Sequence, residues 1–244
     1  MALMKRILPV VLVSPALLLA ACGGGGTSGA LGNKTAAQVL SGAVAAAKKS
    51  GSVHFELLGT EAGKTETIEG DASNTDGREK ITAGTLTIQA EVIGTGAYVE
   101  GNAGGLEDQM GLSAATAATY AGKWISIAAT DAPYSSITKA VRLAGTLSDL
   151  KPTGHLTLTA ATTRASHAVV GVKGSLPPGA VKGTTGSAVL YVSTAAPTVP
   201  IVFDVQQEAS GTKESDVGTF SNWGTPLHLV APATTVPFAS LPAS

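Results

Sequence analysis

From Ser52 onward, apolar residues recur at every second position in short runs separated by turn signals, and this pattern limits the chain to an architecture dominated by β-sheet. Val53, Phe55 and Leu57 alternate with His54 and Glu56. Further runs follow at Lys64 to Asp71, Gly77 to Thr82, Thr85 to Ile93, Ala97 to Glu100 and Trp124 to Ala128. Turn residues such as Asn74-Thr75-Asp76-Gly77 and Gly94-Thr95-Gly96 separate them. After a different middle section the strand pattern resumes at His155 to Ala160, Ser166 to Val172, Ser187 to Ser193, Ile201 to Gln207 and Ser215 to Asn222. The gaps are too short for crossover helices, so an antiparallel meander is the simplest connection. About ten strands with few helices imply one large, strongly curved sheet, because a flat one would expose an apolar face.

The helices must cover that face. Thr35 to Ser50 reads as one amphipathic helix: Thr35 is the N-cap, and Ala36, Val39, Leu40, Ala43, Val44 and Ala47 recur at helical spacing. Lys48 and Lys49 suit the negative end of its dipole, and Gly51 stops it. Gly105 to Gly111 and Ser113 to Tyr120 read as short helices, and Pro133 to Leu147 as another, built around Ile137, Val141 and Leu143. The class is therefore α+β, a half-barrel of antiparallel strands with helices across its concave face. The tail from Ala231, with Pro232, Pro237 and Pro242, is expected to be extended.

Residues 1–21 read as an export signal. Lys5 and Arg6 form a positive start, and the apolar run Ile7 to Ala21 is roughly 15 residues, short of the ~20 that span a bilayer, with Pro9 and Pro15 interrupting it. Leu19-Ala20-Ala21-Cys22 closes it and resembles the lipobox of bacterial lipoproteins, in which the cysteine sulfur receives a diacylglycerol before the signal is cut away. The alternative is an ordinary secretory signal with an incidental cysteine. Cys22 is the only cysteine, so no disulfide is expected. Residues 22–33, rich in glycine, read as a flexible tether of about 18 Å, which keeps a single domain at 34–244 close to the membrane surface on the outer side of the cell membrane.

Hydrophobic residues make up 44% of the chain but aromatics only 4%, so Val, Leu, Ile and Ala must build the core. Loss of Lys5 and Arg6 takes the basic count from 16 to 14 against 17 acidic residues, a formal charge near −3. No basic patch is present to displace counterions from phosphates, which argues against nucleic-acid binding.

Three stretches carry a resemblance. They are Val53-His54-Phe55-Glu56-Leu57 after the first helix; Gly96-Ala97-Tyr98-Val99-Glu100-Gly101-Asn102 followed by Tyr120-Ala121-Gly122-Lys123-Trp124-Ile125; and Phe220-Ser221-Asn222-Trp223-Gly224-Thr225-Pro226 with Ala231-Pro232. Together they resemble the LppX/LprG class of mycobacterial and related actinobacterial lipoproteins. The resemblance implies a half-barrel like that of the LolA and LolB lipoprotein carriers, whose concave side encloses the acyl chains of envelope lipids in the better-known members. This chain departs from it in having fewer bulky apolar residues and many Gly, Ala and Thr.

A curved sheet roofed by helices either fills its interior with side chains or leaves room for a ligand. With four Phe, four Tyr and two Trp, large rings are scarce, and an incompletely filled hollow is the expectation. Alternation and position select Phe55, Leu57, Leu86, Ile88, Val92, Ile137, Val141, Leu156, Leu158, Leu190 and Phe203 as its lining; the bland reading of each is plain core. The expected ligand is a lipid or glycolipid, bound by a monomer, with the Ser113 to Leu147 region as a movable cover. An envelope scaffold with a filled core is the alternative, and a hydrolase comes third.

Catalytic signatures are not evident, and no enzyme activity is expected. There is no Gly-x-Ser-x-Gly elbow, and Gly23 to Gly26 is no phosphate loop, since no strand precedes it. His54, His155, His167 and His228 each sit in a strand pattern without a partner ligand at a recognised spacing, so surface or strand-edge positions are expected for all four, with no metal and no cofactor. Trp124 and Trp223 are expected to seal a sheet edge rather than contact ligand.

Overall fold

The computed structural model describes residues 31–61, 64–177, 184–209 and 212–242; the signal, Cys22 and most of the expected tether lie outside them. Helix α1 (Ala36–Ser50) starts at a capping box: the Thr35 hydroxyl accepts from Gln38 N–H at 3.3 Å, and the Gln38 side chain accepts from Thr35 N–H at 2.9 Å. It stops at Gly51, whose φ of 83° is the left-handed conformation that glycine adopts without cost. Leu31, expected in the tether, is instead buried in the core at 4% exposure. The packed body thus begins before residue 34; a single leucine among glycines carries no periodicity to read.

The sheet is built from two meanders. The first comprises β1 (Ser52–Glu61), β2 (Lys64–Ser73), β3 (Gly77–Ala83), β4 (Leu86–Ile93), β5 (Gly96–Gly101) and β6 (Ile125–Ile127). The second comprises β7 (Thr153–Leu158), β8 (Thr162–Arg164), β9 (His167–Ser175), β10 (Thr185–Ser193), β11 (Pro200–Ala209) and β12 (Thr212–Ser221), and a short β13 (Val236–Pro237) follows. They join through β1 and β12, with Phe55 opposite Phe220, into one unclosed, curved sheet of order β13-β6-β5-β4-β3-β2-β1-β12-β11-β10-β9-β7, with β8 beside β9. Every pairing is antiparallel except β13 on β6. The structure is α+β with a half-barrel sheet, as the alternation predicts. The brief β8 and β13 are too short to show a period, and the tail is extended only in part: Phe238–Ser240 forms a 3-10 turn, and Phe238 and Leu241 pack on the core.

Helices α2 (Ala103–Met110), α3 (Ala114–Tyr120), α4 (Tyr134–Val141) and α5 (Leu143–Asp149) join α1 over one face. The single helix expected from Pro133 to Leu147 is two. Arg142 is extended, with φ −91° and ψ 145°, and its Nη2 donates to Gly94 C=O at 2.7 Å. The apolar stripe explains the break. Ile137 and Val141 lie one turn apart, but Leu143 follows Val141 by about 200° around a helix axis, so one straight rod could not bury all three on the same sheet. Gly145 closes the corner: a Cβ there would stand 1.7 Å from Lys139 O. Gly145→Ala is therefore expected to lower the thermal unfolding midpoint by several degrees, and an unchanged midpoint in a melting experiment would contradict this packing.

The core beneath the helices divides. One cluster joins α1 and α5 to β1 and β9–β12 through Val39, Ala43, Phe55, Leu147, Leu190 and Phe203. The other joins α2–α4 to β3–β6 through Ile88, Val92, Val99, Leu106, Ile125 and Ile137. Ile68 of β2 packs on both. Trp223, expected at a sheet edge, instead packs at the start of the interior strand β11, donating Nε1–H to Pro200 C=O at 2.9 Å and tilting against Phe220 with ring centroids 6.4 Å apart.

Candidate functional site

The seam between the two clusters runs along β2 and β3. On β3, Gly77, Glu79 and Ile81 are buried, while Arg78 and Lys80 between them are exposed. Strand alternation therefore puts a carboxylate on the apolar face. Glu79 lies opposite Gly70 of β2 and Ala90 of β4, with 8% of its surface exposed. No hydrogen bond or ion pair holds it among the described residues. Burial first, and the neighbouring charge of Glu66 second, push its pKa up to about 7. This residue is the one the lining expectation missed, since only apolar residues were sought; the Gly77-Arg78-Glu79-Lys80-Ile81 alternation carries the signal.

Above Glu79 sit Gln109 and Met110 of α2 and Ile137 of α4, which with Ile81, Ile88 and Val99 line a void of about 10 Å³. A second, of about 30 Å³, lies beneath the start of α2, between Leu86, Ala83 and Glu66 and the helix residues Gly105 and Asp108. A cavity needs roughly 10–15 Å³ of such space to hold one water, so the two together hold no more than a few. Neither void as it stands has room for an acyl chain. Elsewhere side chains lie across glycines: the Phe55 ring covers Gly70, and Leu57 covers Gly218.

The expected lining residues separate accordingly. Phe55, Leu190 and Phe203 belong to the α1 cluster, with Leu57 and Leu156 at its margin; Ile88, Val92, Ile137 and Val141 belong to the other. Leu86, Ile88 and Ile137 are the three that touch a void. Leu158 joins neither cluster, because β7 is the outermost strand and leaves it 38% exposed.

Helix α2 is seated by Asn102, whose Oδ1 accepts from Gly105 N–H at 2.8 Å and whose side-chain NH₂ donates to Thr85 C=O at 2.6 Å. Gly111 at its end and Gly122 after α3 both have positive φ, 66° and 71°. Of the region expected as a cover, Ser113 to Leu147, α3 is thus followed by a left-handed glycine, while α4 ends on the extended Arg142.

The opposite face of the sheet carries a polar group that sequence spacing did not reveal. His54, expected at a surface or strand edge, is on the central strand β1 and half-buried. Its Nδ1 lies 2.9 Å from Asp71 Oδ1, and Asp71 Oδ2 accepts from Arg78 Nε at 2.8 Å and Nη2 at 2.7 Å. Burial would raise the Asp71 pKa; the hydrogen bonds and charges of His54 and Arg78 outweigh that and hold it below its usual value. Glu56 and Glu69 stand beside His54, directly opposite each other on β1 and β2. His155, His167 and His228 are exposed, as expected.

No family model and no curated protein matches the sequence. Among solved structures, the crystal structure of LprF from Mycobacterium bovis matches with a TM-score of 0.50 and 16% identity, over 82% of this chain and 97% of that one. The fold is LppX/LprG-like. At this identity the likeness concerns the fold alone, over nearly the whole length of LprF. In this LppX/LprG-like fold no helix among the described residues is long and apolar enough to cross a membrane.

Proposed function

We propose that the protein is an envelope lipoprotein, anchored to the membrane through Cys22, that holds a lipid or glycolipid by its acyl chains on the concave face of the half-barrel, for carriage or retention. The observation that carries this reading is the seam. Two apolar clusters meet there over small residues, beneath the short helices α4 and α5, and the one buried carboxyl at the seam has no partner among the described residues. Lifting α2 and α3 away from β4 and β5 would open the second cluster and admit hydrocarbon, at a gain of ~0.8 kcal/mol per buried methylene. Glu79 and Gln109 would then meet the polar end of the ligand. The mechanism is binding and release without bond-making, in a monomer, and needs no cofactor.

The test is to express the chain with Cys22→Ser, extract the purified protein, and identify lipids by mass spectrometry. Wild-type sequence elsewhere is expected to yield an acylated lipid in near-stoichiometric amount. Ile88→Trp, which places a large ring in both voids, is expected to cut recovery at least tenfold while the circular dichroism spectrum stays unchanged. No lipid recovered, and none taken up from vesicles, would overturn the reading. The small size of the two voids favours one rival, a non-enzymatic interaction or scaffold protein with a filled core. It predicts a crosslinked envelope partner and indifference to Ile88→Trp.

A further inference from the structure

We propose that His54, Glu56 and Glu69 form a binding site for a zinc-class divalent ion on the face of the sheet opposite the helices. This inference is independent of the lipid reading, because the site lies on the other side of β1 and β2.

Strand geometry creates the site. His54 and Glu56 are two residues apart on β1 and so project from the same face, and the β1–β2 register places Glu69 directly across from Glu56 and Asp71 directly across from His54. These strands lie at the middle of the sheet, so the four positions are held on a rigid platform. One ligand atom from each of His54, Glu56 and Glu69 comes within 4.8 Å of the other two, and His54 Nε2 is already 3.8 Å from Glu56 Oε1. A tetrahedral ion with bonds of about 2.0–2.2 Å needs ligands roughly 3.4 Å apart. Both glutamates are exposed, so rotation of their side chains can close the difference.

The support around His54 is what distinguishes this group from a chance cluster of acids. A metal-bound histidine presents one ring nitrogen to the ion and donates the other N–H, commonly to a carboxylate, which fixes both tautomer and ring orientation. Here Asp71 takes Nδ1 at 2.9 Å and is itself held by two N–H groups of Arg78, which leaves the Nε2 lone pair facing the glutamates. The two glutamates also need explaining, because like charges directly opposite on neighbouring strands are destabilising. Lys80 stands across from Glu69 on β3 but forms no ion pair with it among the described residues. A bound cation would neutralise both and tie β1 to β2. One nitrogen and two carboxylates suit zinc and its neighbours better than calcium or magnesium, which take oxygen-only sets, and water would fill the fourth position.

The experiment is calorimetric titration of the Cys22→Ser chain with Zn²⁺ alone, the substitution removing a competing thiol. One ion per chain is expected. His54→Gln, which keeps a polar group beside Asp71 but lacks the ring nitrogen, and Glu69→Gln should each weaken binding at least tenfold. Asp71→Asn should weaken it about 10–100-fold through loss of the histidine's support. Co²⁺ should give the visible absorption of a four-coordinate ion in the parent chain and lose it in His54→Gln. Joint replacement of His155, His167 and His228 by alanine should leave binding intact. The proposal is overturned if no ion binds, if His54→Gln binds as well as the parent, or if Ca²⁺ binds as tightly as Zn²⁺.

Discussion

Glu79→Gln is expected to stabilise the protein at pH 8 by about 3 kcal/mol and to leave it nearly unchanged at pH 4. The buried carboxyl has its pKa raised from 4.5 to about 7, each unit being worth about 1.4 kcal/mol. Because the folded chain holds this proton more tightly than the unfolded chain, the contribution is fully present below about pH 4.5 and is lost as pH rises through about 7. Glutamine keeps the shape and carries no charge to desolvate, so the loss with pH should shrink. Urea unfolding of both proteins across pH 4 to 8 measures it. Parallel stability curves for parent and variant would show that Glu79 is neither desolvated nor unpaired. If the site takes a lipid through Glu79, the same variant should also change how tightly the lipid is retained, which links the stability penalty to function.

Phe55→Ala is expected to cost about 3–5 kcal/mol, enough to leave the domain marginal or unfolded. Phe55 is 2% exposed, stands opposite Gly70 on one side and Phe220 on the other, and lays its ring over the glycine. Those contacts lie where the two meanders join. With only four phenylalanines in the chain, few neighbours are large enough to collapse into the space. Filling it from below with Gly70→Ala cannot rescue the loss, because the new Cβ would meet Arg78 O at 2.4 Å. Equilibrium unfolding in urea should show a lower midpoint with an unchanged slope; a loss under about 1 kcal/mol would mean that the ring is not central to the joint.

The residues that were legible in advance are those governed by neighbours in the chain. Thr35, Gln38 and Gly51 bound α1 because capping acts over a few residues, and Val53, Phe55 and Leu57 show their shared face because strand alternation is local. The α4–α5 break was also present in the sequence, as the change of phase between Val141 and Leu143, but it is visible only when the angle between apolar positions is followed past Arg142. The candidate site was harder to see. Alternation of apolar residues picks out Ile88 and Ile137, which border the void, but passes over Glu79 beside them, and it picks out Leu158, which stands on the edge strand β7. His54 meets Glu69 and Asp71 only through the β1–β2 register, so no spacing along the chain announces the group.

The sequence by itself determined the α+β class, the strands as short alternating runs, and the caps of the first helix, since each depends on interactions within a turn or a pleat. Tertiary structure decided three other things: the pairing of β1 with β12, the packing of Phe55 and Leu57 over Gly70 and Gly218, and the isolation of Glu79 at the seam. The physical reason is that burial and pairing at a given residue depend on atoms brought close by the curvature and register of the whole sheet, and a one-dimensional pattern fixes which face a side chain takes without fixing what it finds there.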